Sequence, residues 1–431
     1  LAGLAPQPST DSEIIMTSYF TVIATGQSLI HHDLHGIDDL RLRAIEEILK
    51  AGDLAFTNFE MTIYGRHAGW PLKGSYFGCA MPVVLLSLKN MGFNALSLAN
   101  NHAFDLGPSG ILSTIEVATN LGFLHAGTGC NRSSANRHAE KVFNGKKVGL
   151  VAMDAGPGPA FMYADDKCIA RPARPGVNQL KVQRKFDLDE LNFEMLRELQ
   201  KQFGTTELEL ANYAQPNDPP QVDGMSETNF FGTVFRRSNK TARRTVVDPK
   251  SATTQLNAIR KASDSGLFVV AYLHHHHWEP DWRHVPAWVQ DFARLCVDAG
   301  ARIFVSHGAP VLQAIEIYRN APIFYGLGNF LFHTDHDDTE WSPPEVWKSI
   351  IASCRFNSNG DIQMIDLYPI VVGGAETLKN RTIKRLLYPV IAQGSLAREI
   401  LGELAERSAS YGTIVHLGDG HGFIGPAPPV V

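Results

Sequence analysis

Three times between Tyr19 and Leu121 a short apolar run gives way to a helical pattern. Tyr19 to Thr25 (YFTVIAT) is β-branched and aromatic, and Leu40 to Lys50 follows with helical periodicity that stops at Gly52. Leu54 to Asn58 reads as a second strand, with a helix from about Pro82 to Met91 after a loop rich in Gly and aromatics. Ala95 to Ala99 reads as a third, buried strand, and the next helical pattern runs from Ile111 to Leu121. This alternation predicts an α/β protein with a largely parallel sheet and helices on both of its faces.

The pattern extends through a strand at Val148 to Asp154 and then breaks. From Gly156 to about Lys250 the chain is rich in Pro, Gly, Asn, Arg and Lys, with one helical piece from Leu188 to Phe203. An inserted subdomain or lid is expected there. Its basic residues, Arg171 and Arg174 among them, read either as a solvated surface or as a site for a carboxylate-rich substrate, since Arg grips carboxylates bidentately. Regular order resumes with helices at Thr254 to Ser263 and Val289 to Ala299. Strands are expected at Leu267 to Leu273, Ala301 to Val305, Leu312 to Tyr318 and Ile323 to Tyr325. A strand pair (Ser349 to Phe356 and Gln363 to Val372), a helix from Ser395 to Ser408 and a Gly/Pro-rich tail complete the chain.

Polar residues crowd the carboxyl ends of these strands, where open α/β sheets bind ligands. Asn58-Phe59-Glu60 ends the second strand. Asn100-Asn101-His102 follows the third, with Asp105 close enough in sequence to orient His102. LFVVAYL runs into four consecutive histidines, His274 to His277. Side chains alternate along an extended segment, so His274 and His276 point one way and His275 and His277 the other, and one pair can enter a pocket. His307 follows the strand at Ala301 to Val305. Four strand ends therefore deliver Glu60, Asn101 with His102, His274 or His276, and His307. A carboxylate, an amide and two imidazoles suit Mn²⁺ or Zn²⁺ better than Ca²⁺. Trp278 and Trp282 either line the pocket mouth or simply pack.

Seventeen histidines in 431 residues agree with metal chemistry. Five scattered cysteines without CxxC spacing argue against a disulfide framework and a structural zinc site. The net charge of -5 gives no reason to expect nucleic acid or an anionic membrane as partner. No apolar run has the length of a transmembrane helix. The first fifteen residues lack the basic and apolar regions of a signal peptide, and Met16 could be the natural start. A cytoplasmic chain is favoured over a processed secreted form, and the oligomeric state is not readable.

Asn58-Phe59-Glu60, Asn100-Asn101-His102 with Asp105 and Gly107, the histidine run, DAGARIFVSHG and EIYRNAPIFYGLGNFLF together resemble the CapA family of capsule-biosynthesis, poly-γ-glutamate proteins. That family is related to the calcineurin-like metallophosphatases, and the similarity spans about Thr21 to Val372. It implies a four-layer αββα sandwich of the metallophosphatase type with a long insertion. Residues 1–18 would be a tail, 19–155 and 251–375 the two halves of the domain, 156–250 the insertion, and 376–431 a C-terminal helix and tail. By the same resemblance Glu60 is a bridging carboxylate, Asn101 an amide ligand, and His276 (or His274) and His307 complete the shell. His102, oriented by Asp105, is the acid or base, and His307 is a second catalytic candidate.

Two departures from the family pattern matter. Gln27 stands where relatives have Asp, and Pro310 where they have a second histidine. Both belong to one half of a two-metal site, so one ion per chain is expected unless His31, His32 or Asp33 fills the gap. Gln27, Arg171, Arg174 and Trp278 are then candidates for substrate contact. Losing one ion removes the clamp that serves phosphoryl transfer, which demotes phosphatase activity. The leading expectation is a metal-dependent hydrolase of an amide bond in a γ-glutamyl polymer or peptide. A metal-dependent peptide epimerase, exchanging a Cα proton between groups such as His102, His307, Asp33 or Cys168, is the alternative. A non-catalytic polymer-binding component of capsule synthesis is the third reading.

Overall fold

The short apolar runs become strands whose side chains are buried on both faces, as parallel strands require. The computed structural model describes residues 19–73, 77–204, 224–333, 343–375, 378 and 386–426, so the expected tail at 1–18 lies outside it. In the first sheet β1 (Phe20–Thr25), β2 (Leu54–Asn58), β3 (Ala95–Ser97) and β4 (Leu124–Ala126) pair in parallel. The antiparallel strands Lys348–Phe356 and Ile362–Val371 extend it beyond β1. In a second sheet β5 (Lys146–Asp154), β6 (Phe268–His274), β7 (Ala301–His307) and Ala321–Phe324 are parallel, with antiparallel edges at Ala139–Phe143 and Ile315–Tyr318.

The expected single sheet with helices on both faces is instead two sheets packed face to face, with helices on their outer faces and the helix Gly394–Ala409 packed into the shared core through Ala397, Ile400 and Leu401. Val22, Ala24 and Phe56 of the first sheet share one core with Leu150, Ala152, Val270, Tyr272 and Val305 of the second. On the outer face of the first sheet, Ile23, Ala55 and Leu96 meet Ile45 and Leu49 of α1 (Leu40–Lys50), Leu85 and Leu88 of α2 (Val83–Met91), and Ala118 of α3 (Gly107–Asn120). On the outer face of the second, Val151, Val269 and Ala271 meet Ile259 of α4 (Pro249–Asp264) and Val289 and Phe292 of α5 (Ala287–Asp298). Each large side chain so buried contributes about 1.5–3 kcal/mol. A strand that is apolar on both faces does not reveal whether a helix or another sheet covers it. The single-sheet expectation failed for that reason.

Within 156–250 the structure differs from the sequence reading in a second way. Beside the helix Glu190–Phe203 stands a four-stranded sheet, ordered Glu227–Phe230, Thr233–Arg237, Val182–Leu188, Ala242–Val247. Strands such as VQRKFDL and ARRTVV carry charges at positions that a sequence pattern assigns to loops. The structure accommodates them by pairing, with buried Asp187 held by Arg236 at 3.0 Å and Arg244 at 2.7 Å. Among the described residues no helix is long and apolar enough to cross a membrane.

Candidate metal centre

Parallel strands bring their carboxyl ends to one edge, and register decides which side chains meet there. Asp154, His274 and His307 lie on one level across β5, β6 and β7. The first sheet contributes Glu60, two residues past β2, and Asn101, four past β3. Asn100 ties these two loops together. Its amide donates to Asn58 Oδ1 at 3.2 Å and to the Phe59 carbonyl at 2.8 Å, and its Oδ1 accepts the His102 N–H at 3.1 Å.

Glu60, His274 and His276 form a cluster whose donor atoms all lie within 4.8 Å of one another. The His274 and His276 Nε2 atoms are 3.1 Å apart, His274 Nε2 is 3.0 Å from Asn101 Oδ1, and Glu60 Oε1 is 3.6 Å from His274 Nε2. Neighbouring ligands at right angles about a cation with bonds of about 2.1 Å would be about 3 Å apart. The rings of His274 and His276 lie side by side at 5.1 Å, while His275 and His277 face Trp288 at 5.1 and 6.1 Å.

The electrostatics of this cluster suit a cation. Burial holds the Glu60 carboxyl well above the usual range, with Asp154 and Asp105 adding to the effect and Lys73 opposing it. Burial holds His274 well below its usual value and brings His276 down to about 3, helped by the neighbouring imidazoles, and by Lys73 at His276. Neutral imidazoles are the form that binds a metal. Glu60 Oε2 and His274 Nδ1 have no hydrogen-bond partner among the described residues. A cation would offset the cost of a buried carboxylate and of imidazole lone pairs that face each other. The donor set therefore fits a divalent ion.

Beside the cluster, His102 Nδ1 sits 2.8 Å from Asp105 Oδ2, which also accepts the Gly78 N–H at 2.8 Å. The other Asp105 oxygen pairs with Lys73 Nζ at 2.9 Å, and Lys73 donates to the Asn101 carbonyl at 2.9 Å. With Nδ1 committed to Asp105, the free face of His102 is its Nε2. Lys73 is absent from the sequence reading because nothing in its loop's spacing marks it.

His307 is not part of the tight cluster. Its Nδ1 lies 3.2 Å from the Tyr272 hydroxyl, its Nε2 has no partner among the described residues, and burial lowers it to about 3. Asp154 also escaped the sequence reading, although it too ends an apolar strand. Its Oδ2 accepts from Tyr163 and Gly156, each at 3.0 Å, and burial raises its carboxyl to about 7 against those two hydrogen bonds.

The candidate substrate residues have local partners. Gln27 is buried and donates to Asn329 Oδ1 at 3.1 Å, while its own Oε1 has no partner among the described residues. Arg171 pairs with Asp165, and Arg174 donates to the carbonyls of Tyr163 and Ala160. Trp278 donates to the His275 carbonyl at 3.0 Å, and its ring lies 4.7 Å from that of His276. Asp33 is engaged by Ser87 and by the His35 N–H. His31 Nδ1 contacts the Cys79 carbonyl, and His32 lies against His333.

Residues 21–334 match the family described as bacterial capsule synthesis protein PGA_cap, a span that holds every residue of this centre. The chain belongs to the PGA_cap family. Two relatives of this PGA_cap protein, the uncharacterized proteins y4sH and y4uA of Sinorhizobium fredii (strain NBRC 101917 / NGR234), are each 28% identical over 447 residues. Those alignments cover 94% of this chain and 93% of each relative. The capsule biosynthesis protein CapA of Bacillus anthracis is 23% identical over 285 residues, which is 66% of this chain and 49% of that one.

Proposed function

We propose that this PGA_cap protein is a metal-dependent hydrolase of an amide bond, in a γ-glutamyl polymer or a peptide. Its architecture is the four-layer αββα sandwich of the metallophosphatase type, with 156–250 as the insertion. The order helices, sheet, sheet, helices supports that reading. The observation that carries the function is the convergence of Glu60, His274 and His276 beside the His102–Asp105 pair. With Asn101, these three would hold one Mn²⁺ or Zn²⁺, which when bound supplies Lewis acidity toward a carbonyl oxygen. Gln27 and Pro310, in place of two further ligands, support a single ion per chain.

Asp105 holds His102 by Nδ1, which leaves Nε2 to take a proton from the attacking water and pass it to the departing nitrogen. Lys73 keeps the Asp105 carboxylate in place from its other oxygen. The capsule biosynthesis name of the Bacillus anthracis relative supports a capsule polymer as the substrate class. The test is release of new primary amines from poly-γ-glutamate and from peptides by the metal-loaded protein. His102→Gln should slow release by about 10²–10⁴-fold. No amine release from either substrate class refutes the hydrolase. Solvent deuterium at a peptide Cα without cleavage would replace it with the epimerase.

A further inference from the structure

We propose that Arg184, on the sheet of the insertion, is a positioning residue for His276, so that the insertion sets the affinity of the centre for its ion. The inference rests on the metal-centre reading above.

Beyond the His275 N–H, which still donates to the His307 carbonyl at 3.0 Å, no strand ladder fixes the backbone from His276 to Glu279. The His276 peptides are held from outside instead. The His276 N–H donates to the Gly156 carbonyl at 2.7 Å, and the His276 carbonyl accepts from Arg184 Nη2 at 3.3 Å. Arg184 Nε donates to His277 Nδ1 at 3.1 Å. A guanidinium can only donate, so His277 Nδ1 presents its lone pair and Nε2 carries the hydrogen. That hydrogen goes to the Ala155 carbonyl at 3.1 Å. One guanidinium thus fixes both the peptide that follows His276 and the tautomer of the next residue.

Arg243 braces the peptide beyond. Its Nη2 donates to the Trp278 carbonyl and to Glu279 Oε2, each at 3.1 Å. In the antiparallel register Arg184 opposes Thr245 and Arg243 opposes Phe186, so both arginines stand on one face of the insertion's sheet. That face meets the histidine loop. Among the described residues these arginines bond the loop at His277 Nδ1, the His276 and Trp278 carbonyls and Glu279, so their action on the ion would pass through the backbone of His276. Outer partners of this kind change metal affinity by about 10–100-fold when removed, because the ligand must then be ordered at the moment of binding.

The experiment titrates Co²⁺ into the metal-free full chain, reading heat and the visible ligand-field spectrum, for wild type, Arg184→Ala, Arg184→Lys and Arg243→Ala. Arg184→Ala should raise the Co²⁺ Kd by about 10–100-fold and alter the spectrum, while the thermal midpoint of the metal-free protein stays at the wild-type value. Arg184→Lys should fall between the two, because one ammonium reaches only one of the two acceptors. Its result decides the matter if the alanine variant fails to fold. Wild-type affinity and an unchanged spectrum in both Arg184 variants would overturn the inference while leaving the metal centre standing. A wild type that takes up no Co²⁺ would overturn both.

Discussion

Glu60→Gln separates the stability of the fold from the function of its centre. Glu60 is 2% exposed, its Oε2 has no partner among the described residues, and burial raises its carboxyl above the ordinary 4.5. In the metal-free protein the folded state therefore keeps the proton to higher pH than the unfolded state does. The Glu60 contribution to stability is greatest below 4.5 and declines as pH rises. Each pH unit above 4.5 contributes at most about 1.4 kcal/mol, so the penalty at pH 7 cannot exceed about 3.5 kcal/mol. Glutamine does not titrate, but its amide leaves about 1 kcal/mol of unmade hydrogen bonding. Metal-free Glu60→Gln should thus match wild type or fall slightly below it at pH 4.5. At pH 7 it should be the more stable of the two, by no more than about 2.5 kcal/mol. With free ion at about 100 times Kd, wild type gains about 2.7 kcal/mol and the variant gains almost nothing, which reverses the order. Urea melts with chelator and with Mn²⁺ or Zn²⁺ read all of this. A variant less stable than wild type at pH 7 without metal would show that the buried Glu60 carboxyl does not destabilise the fold, and one that gains equally from the ion would show that Glu60 does not hold it.

Gly308→Ala should cost more than about 3 kcal/mol and weaken metal binding together. Gly308 has φ +128°, and a Cβ there would lie 1.8 Å from the His275 carbonyl, beside the His275 N–H to His307 carbonyl bond that joins two strand ends. A denaturant melt and a metal titration check it. Buried His275, lowered to about 3 chiefly by desolvation, makes a second stability–pH link. Its contribution is complete above the unfolded value of about 6.5 and is lost as pH falls, by about 2 kcal/mol at pH 5. The pH profile of unfolding should flatten in His275→Gln. Asp105→Asn should lower amide cleavage by about 10²-fold or more with little loss of bound metal, because Asp105 holds the His102 ring through Nδ1; turnover and metal content measured on one sample decide it.

Much of the site was legible because strand ends are legible. Glu60, Asn101 and His274 each follow an apolar run, and alternation along an extended segment sets His274 with His276 and apart from His275 and His277. Asp154 follows such a run as well, but its meaning depends on the rung it shares with His274 and His307, and register is a property of pairing. Lys73 reaches Asp105 from a loop whose path no periodicity encodes. Periodicity alone did not show the second sheet, which only the family resemblance implied, because strands like FVVAYLH are apolar on both faces whatever covers them. The insertion's strands were hidden for the opposite reason. Charges such as Asp187, Arg236 and Arg244 neutralise one another across strands, and that compensation is visible only in three dimensions.

The most direct test of the metal centre is metal content per chain, by elemental analysis of protein purified without added metal, for wild type, Glu60→Gln and His276→Ala. Close to one transition ion per wild-type chain is expected, and almost none in either variant. No metal in wild type, or two ions per chain that survive His276→Ala, would contradict the one-ion centre.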